Sequence, residues 1–526
     1  MQTLHEQLRQ HARTQGNKPA LIWYGTAISY AELDRASDAF AAYLQAAGIR
    51  QGEPVALFMN NCPQYMMAHI GIQKMGGIVC PCGPLNKEHE LEYQLNDMKA
   101  RMMIAASNLL PIVAKVRERT ALEHVLVVRY TDFLPAQPTM DIPAELLAMM
   151  AQPGELPESV DDFLVAISGD AMPLMVDIAL DDIALMTYTS GTTGLPKGAM
   201  LSYRNASYKT AMAAAASRGS KDDVLLAVAP LYHIAGMVMG MNIILHTGAT
   251  CVLLYRFDPL VVLQAISHYR VSWWYSIAPM NMAIMQLPVA REYDLSSLRF
   301  NPVTSFGIQF TQEIAERWKT FAPNCIACEA SYGLSETHTV DTIMPLDAIR
   351  WGTHGKPVAG NEIRILHADT GLPCAVNDTG EIVLRSEGVF HGYWNNPQAS
   401  AQTLRDGWVY TGDIGKLDED GYLTFLGRFK EMIKVSGYSV FPEEVESILI
   451  RHPALMQVAV IGLPDPDKGE IIKACVVLKP GHSVTPQEIS AWSREHMANY
   501  KVPKIVDILS SLPSTGAGKV LRRLLK

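Results

Sequence analysis

The 526-residue chain is 48% apolar and 18% charged, proportions of a packed globular protein long enough for one large domain and a smaller one. Its net charge of −9, with no block of lysine or arginine, argues against nucleic acid as the main partner, so an anionic ligand must be held by local donors. The start, Met1-Gln2-Thr3-Leu4-His5-Glu6, has no basic and apolar leader, and no run of ~18 apolar residues occurs, so a cytoplasmic protein without an integral membrane segment is expected.

In chain order, Ser29 before Tyr30-Ala31-Glu32 forms a capping box, and Leu33, Ala36, Phe40 and Leu44 recur at helical spacing up to Gly48. Val55–Met59 reads as a buried strand. Ile183-Ala184-Leu185-Met186 reads as another, followed by Thr189-Ser190-Gly191-Thr192-Thr193-Gly194-Leu195-Pro196-Lys197-Gly198. Leu225–Ala229 (strand), Val261–Tyr269 (helix) and Val271–Tyr275 (strand) continue an α/β alternation that implies a largely parallel sheet. After about residue 355 short strands at Gly360–Leu366, Gly380–Arg385 and Tyr422–Leu426 are separated by Gly/Asp/Asn turns, the pattern of a β-rich subdomain. Beyond them Glu443–Ile450 is helical, Gln457–Gly462 and Ala474–Lys479 are strands, and Thr485–Met497 is a helix with its own capping box at Thr485 and Glu488. The last ~95 residues read as a separate α+β domain.

Eight cysteines are scattered. Cys325-x-x-Cys328 has no second pair at ligand spacing, so it is read as two small buried residues and not as half a zinc site.

The 189–198 stretch carries the strongest chemical signal. Glycines let backbone N–H groups converge on an anion, hydroxyls add donors, and Lys197 adds a compact charge suited to phosphate. It is not a Walker A loop, because Pro196 stands where that pattern needs glycine. Five further stretches follow in order: Pro230-Leu231-Tyr232-His233-Ile234-Ala235-Gly236, Tyr332-Gly333-Leu334-Ser335-Glu336-Thr337, Trp408-Val409-Tyr410-Thr411-Gly412-Asp413, Gly427 to Gly437, and Pro513-Ser514-Thr515-Gly516-Ala517-Gly518-Lys519.

Together they resemble the adenylate-forming superfamily, in its acyl-CoA synthetase branch, over essentially the whole chain. The resemblance implies a large N-terminal domain, 1–427, of two α/β subdomains and a β-rich subdomain. A hinge at 428–431, centred on Lys430, leads to a small mobile α+β domain, 432–526. It implies ATP, Mg2+ and coenzyme A. It also implies an acid activated to acyl-AMP with release of pyrophosphate and then transferred to the thiol, the acid being an apolar medium- or long-chain fatty or aryl one. The alternatives are an acyl-AMP ligase that serves a carrier protein and a non-catalytic nucleotide or acyl-ligand binder. The partners are small molecules, and the chain is a monomer or homodimer.

For the residues, the resemblance implies Lys519, His233, Glu336 and Thr192 as catalytic, with Glu336 the metal ligand. It gives nucleotide or coenzyme contacts to Thr189, Ser190, Gly191, Thr193, Gly194, Lys197, Tyr332, Gly333, Thr337, Asp413, Arg428, Lys434 and Gly437. The acyl pocket is expected around Met237, Tyr275, Phe306 and Gly307, with Met239, Met241, Trp274 and Met280 nearby. His233 stands where amino-acid-activating relatives carry an Asp, which argues against a cationic substrate. Ser514 and Ala517 depart from the basic and hydroxyl residues usual in the terminal loop.

Overall fold

The apolar core of the large part is separate from the two smaller ones of the C-terminal part. A computed structural model describes residues 1–151, 157–189, 195–306, 308–367, 370–435, 438–465, 469–516 and 518–526. Among them one core runs from Leu4 to Leu423 and a second joins Ile433 through Val506.

The large part holds two mostly parallel sheets. In one the strand order is Asp161–Asp162, His124–Val128, Met102–Ala106, Pro54–Phe58, Ile78–Cys82, Ile183–Thr189 and Lys197–Ser202. All pairs are parallel except the last, an antiparallel hairpin with Thr189 opposite Lys197. The other sheet sets Val224–Ala227 beside Trp273–Trp274 on one side and Thr250–Leu253 on the other, and Phe300–Thr304 beside Ile326–Glu329. The first strand of the chain, Pro19–Trp23, joins this second sheet next to Thr250–Leu253, so the two sheets are interleaved in sequence. Strands buried on both faces explain the continuous apolar runs.

The capping box at Ser29 forms as the sequence predicts. The Ser29 hydroxyl accepts from the Glu32 N–H at 3.2 Å, and Glu32 accepts from the Ser29 N–H at 2.7 Å. The helix it starts is Tyr30–Ala46. An antiparallel sheet of Glu362–Leu366, Gly380–Arg385, Trp408–Leu417 and Leu423–Arg428 follows, in the region read as β-rich.

In the small part, Leu455–Asp465 and Gly469–Leu478 form a long hairpin. Period-2 alternation divides its side chains. Val458, Val460, Ala474 and Val476 face the core that contains Val445 and Ile489 of the helices Pro442–Leu449 and Pro486–His496. Ala459, Ile461, Cys475 and Val477 face the chain's end, packing with Leu512 and Leu525. The end of the chain is thus fixed to the sheet. Cys325 and Cys328 are buried and free, and no helix among the described residues is long and apolar enough to cross a membrane.

Candidate active site

The segment between the last parallel strand and its hairpin partner is where Ser190, Gly191, Thr192, Thr193 and Gly194 fall; they lie outside the described residues, as do Gly307 and Gly437. Its two flanks are described. Thr189 and Lys197 face each other across the hairpin, and the Lys197 ammonium lies 4.3 Å from the centre of the Tyr393 ring, a cation–π contact.

Glu336 sits in the short turn Ser335–Thr337. Its Oε1 accepts the Tyr393 hydroxyl at 2.7 Å, and Oε2 has no hydrogen bond among the described residues. Behind it the chain makes an unusual left-handed turn: His338, Thr339 and Val340 have φ of 56°, 55° and 49°. Such conformations cost on the order of 1–3 kcal/mol each for residues other than glycine. They are held by a fully buried ion pair, Lys209 Nζ to Asp341 Oδ1 at 2.5 Å, with Lys209 also donating to the Val340 carbonyl at 3.3 Å. The Thr337 hydroxyl donates to Asp341 Oδ2 and the residue is 0% exposed. Thr337, expected at phosphate, is therefore turned inward to anchor this turn. Gly333 lies against the backbone of Thr339 and Val340.

Asp413 and Arg428 stand opposite each other in adjacent antiparallel strands, with Arg428 Nε 3.0 Å from Asp413 Oδ1. The Tyr332 hydroxyl donates to Asp413 Oδ2 at 2.8 Å. Burial pushes the Asp413 carboxyl up, against the pull of the Arg428 guanidinium and the Tyr332 hydroxyl. Oδ1 faces Arg428 without an aligned hydrogen bond, so it keeps lone pairs for a further donor. Lys430 lies exposed in the turn Phe429–Glu431, and Lys434 in the strand Ile433–Val435 is exposed with its N–H on Glu470.

The terminal loop is a hairpin. Ser514 bridges Val520, the Thr515 N–H donates to the Lys519 carbonyl at 2.8 Å, and the Gly518 N–H donates to the Thr515 carbonyl at 2.9 Å. It is docked on the large domain. A Cβ on Gly516 would lie 2.6 Å from the Tyr232 hydroxyl, and one on Gly518, whose φ is +85°, would lie 2.6 Å from Ile277 Cδ1. The positive φ of Gly518 favours glycine there, and at Gly516 the Tyr232 side chain would have to shift to admit a larger residue. Lys519 is exposed by surface area, yet its ammonium is crowded. Burial lowers its pKa, Arg428 adds to the fall, and Glu431 and Asp413 oppose it. Lys519 also acts on His233, whose pKa falls to about 4 through burial first and that charge second. His233 is thus neutral at pH 7. Its Nδ1 accepts the Ala235 N–H at 3.3 Å, which puts the ring proton on Nε2.

Beside His233 lies a recess lined by Ala229, Pro230, Ala235, Gly236, Tyr275, Ile277, Met280, Phe306 and Gly516. Tyr275, Met280 and Phe306 line it. Met237, Met239, Met241 and Trp274 are not among its lining residues; they are buried in the main core, as Tyr275 also is. The methionines fall in the π-helical turn Met237–Asn242. Sequence reasoning also missed Tyr393 and the Lys209–Asp341 pair, whose partners are distant in the chain.

The site thus gathers the charged side chains of Lys197, Glu336, Asp413 and Arg428, and a lysine hairpin from the small domain reaches Asp413 and Arg428 and lines the apolar recess. This defines a two-domain nucleotide-dependent enzyme. The AMP-binding enzyme profile matches residues 8–394 and the AMP-binding enzyme C-terminal domain profile matches residues 444–519; the chain belongs to this family. It is 32% identical to a long-chain-fatty-acid–CoA ligase of Bacillus subtilis (strain 168), over 99% of this chain and 94% of that one. It is 34% identical to a feruloyl-CoA synthase of Amycolatopsis sp, over 97% and 96%. Among solved structures, an anthranilate CoA ligase in complex with anthranoyl-AMP matches with a TM-score of 0.88 at 28% identity, covering 100% of this chain and 96% of that one. ATP-bound MatB from Rhodopseudomonas palustris matches at 0.86 and 26% identity, covering 100% and 98%.

Proposed function

We propose that the protein is an ATP-dependent acyl-CoA ligase that activates an apolar carboxylic acid, fatty or aryl, and transfers it to coenzyme A. The observation that carries this reading is the docked hairpin: one loop of the small domain brings Lys519 to Asp413 and Arg428 and, through Gly516, completes the wall of the apolar recess.

In the first half-reaction a carboxylate oxygen bonds to the α-phosphorus of ATP, and the bond to the bridging oxygen breaks, releasing pyrophosphate with its electron pair. Two anions must approach, so catalysis consists of positioning and charge neutralisation. Lys519 supplies a compact cation between carboxylate and α-phosphate. Asp413 and Arg428 hold the ribose, with the Asp413 oxygens accepting its hydroxyls. Tyr332 is set beside them by its own bond to Asp413. Lys197 and the segment 189–194, with Thr192, take the departing pyrophosphate. Neutral His233 borders the acyl recess as an Nε2–H donor.

Glu336 offers one hard oxygen, and among the described residues no group of three or more metal-ligating side chains exists. That suits Mg2+, which takes most of its ligands from phosphates and water. When bound it would neutralise phosphate charge. In the second half-reaction the thiol sulfur bonds to the acyl carbon, the carbon–oxygen bond to AMP breaks, and the thiol proton is lost. Rotation about Lys430 in the hinge 428–431 would withdraw the Lys519 hairpin and bring in the region of Lys434 and Gly437.

The acid recess is apolar, and no carboxylate lines it among the described residues, which favours an uncharged tail. Incubation with ATP, Mg2+, coenzyme A and a panel running from medium-chain fatty to arylpropenoic acids, with thioester detected by mass spectrometry, tests the proposal. Pyrophosphate release with no coenzyme A thioester, but with acylation of a phosphopantetheinyl carrier, would replace it with the carrier-protein reading.

A further inference from the structure

Tyr393 touches two residues of opposite charge, Glu336 and Lys197. Its hydroxyl donates to Glu336 Oε1 at 2.7 Å, and its ring face lies under Lys197 Nζ at 4.3 Å. The side chain is 5% exposed and is held from several directions. Its backbone bridges Ala199 in the strand that Lys197 begins. The adjoining Trp394 N–H donates to the Gly198 carbonyl at 2.8 Å, and the Phe390 N–H to the Glu336 carbonyl at 2.8 Å. The same short segment is thus bonded both to the strand of Lys197 and to the turn of Glu336.

Lys197 and Glu336 thus share one neighbour. Tyr393 offers each a different part of one rigid ring. Burial and the Glu336 charge push its hydroxyl well above the usual phenol range, so it stays a donor.

We infer that Tyr393 is a positioning residue of the ligase reaction: its hydroxyl fixes Glu336 so that Oε2 faces the metal–polyphosphate, and its ring seats Lys197 for the phosphates. The inference rests on the reading of Glu336 as the metal-facing carboxylate.

The test compares Tyr393→Phe, Tyr393→Leu, Glu336→Gln and the double variant Tyr393→Phe/Glu336→Gln in the full chain. ATP affinity is measured by calorimetry with and without Mg2+, together with the Mg2+ dependence of pyrophosphate release. Loss of one hydrogen bond to a charged group should raise the half-saturating Mg2+ concentration of Tyr393→Phe about tenfold, and metal-free ATP affinity should be unchanged. Glu336→Gln should raise it further, and the double variant should be no worse than Glu336→Gln. Tyr393→Leu should in addition weaken metal-free ATP, because Lys197 loses its seat. If Glu336→Gln leaves the Mg2+ dependence unmoved, the metal reading falls and this inference falls with it. If Glu336→Gln shifts it and Tyr393→Phe does not, only the inference is overturned. Equal weakening of ATP with and without Mg2+ in Tyr393→Phe also overturns it, since that is what general loosening would give.

Discussion

Arg428 Nε lies 3.0 Å from Asp413 Oδ1, with the two residues directly opposed across one antiparallel ladder. Asp413 lies on the strand Trp408–Leu417 and Arg428 ends the strand Leu423–Arg428, just before the turn Phe429–Glu431. Removing one partner of such a pair leaves the other uncompensated, at a cost of about 3–5 kcal/mol when both are buried; Arg428 is partly exposed, so the lower end applies. Asp413→Ala should therefore raise the KM for ATP at least about tenfold, because the ribose acceptor is lost and Arg428 is freed. Steady-state kinetics at saturating acid checks this, and an unchanged KM would remove Asp413 from the nucleotide site.

Lys519→Ala should reduce acyl-AMP formation by roughly 10²–10³ and largely spare thioester formation from supplied acyl-AMP. Gly518→Ala should show the same split more weakly, since it retains the amine but strains a φ of +85° and pushes on the end of the Ile277 side chain. Separate half-reaction assays check both. Equal loss in the two half-reactions would refute alternation about the hinge.

Arg522 ties the tail to three carboxylates: it pairs with Glu431, with Glu443 at 2.8 Å and with Glu446 at 3.0 Å. It lies three residues beyond Lys519. Arg522→Ala should destabilise the small domain by about 2 kcal/mol or more, because three acids are left facing one another. Adenylation should fall more than thioester formation. Limited proteolysis of the small domain and the two half-reaction assays read these effects.

Glu329 is buried at the end of the strand Ile326–Glu329, and its carboxylate accepts from the Ser305 hydroxyl and from the Ser305 N–H at 3.3 Å. Burial raises its pKa to about 7 against those donors. A folded pKa above the unfolded value of about 4.5 means a contribution that is full below pH 4.5 and lost as pH rises through 7. The cost is on the order of 3 kcal/mol. Glu329→Gln carries no such cost, so its melting temperature relative to the parent should rise between pH 5 and pH 8. A pH-independent difference would show that Glu329 does not titrate in this range.

The capping boxes at Ser29 and Thr485, the parallel-sheet alternation and the two-domain order were legible because each depends on neighbours within a few residues or on simple periodicity. Asp413, Arg428 and Lys519 were singled out through ordered motifs, and the fold brings the three together. The π turn at Met237–Asn242 was not legible, because nothing in its apolar sequence marks one. Thr337 looked like a phosphate contact because its motif is local, whereas the partner that turns it inward, Asp341, is fixed by Lys209 from another helix. Tyr393 carried no signal, since its meaning lies in contacts to Glu336 and Lys197 that only the fold creates.

Gly516, a residue of the small domain, forms part of the wall around the acid recess of the large one. The wall of that recess is therefore complete only with the hairpin seated. On the proposed reading, an acid would enter before that seating and the acyl group would leave after the lysine is withdrawn, so admission, activation and release would be stages of one domain movement.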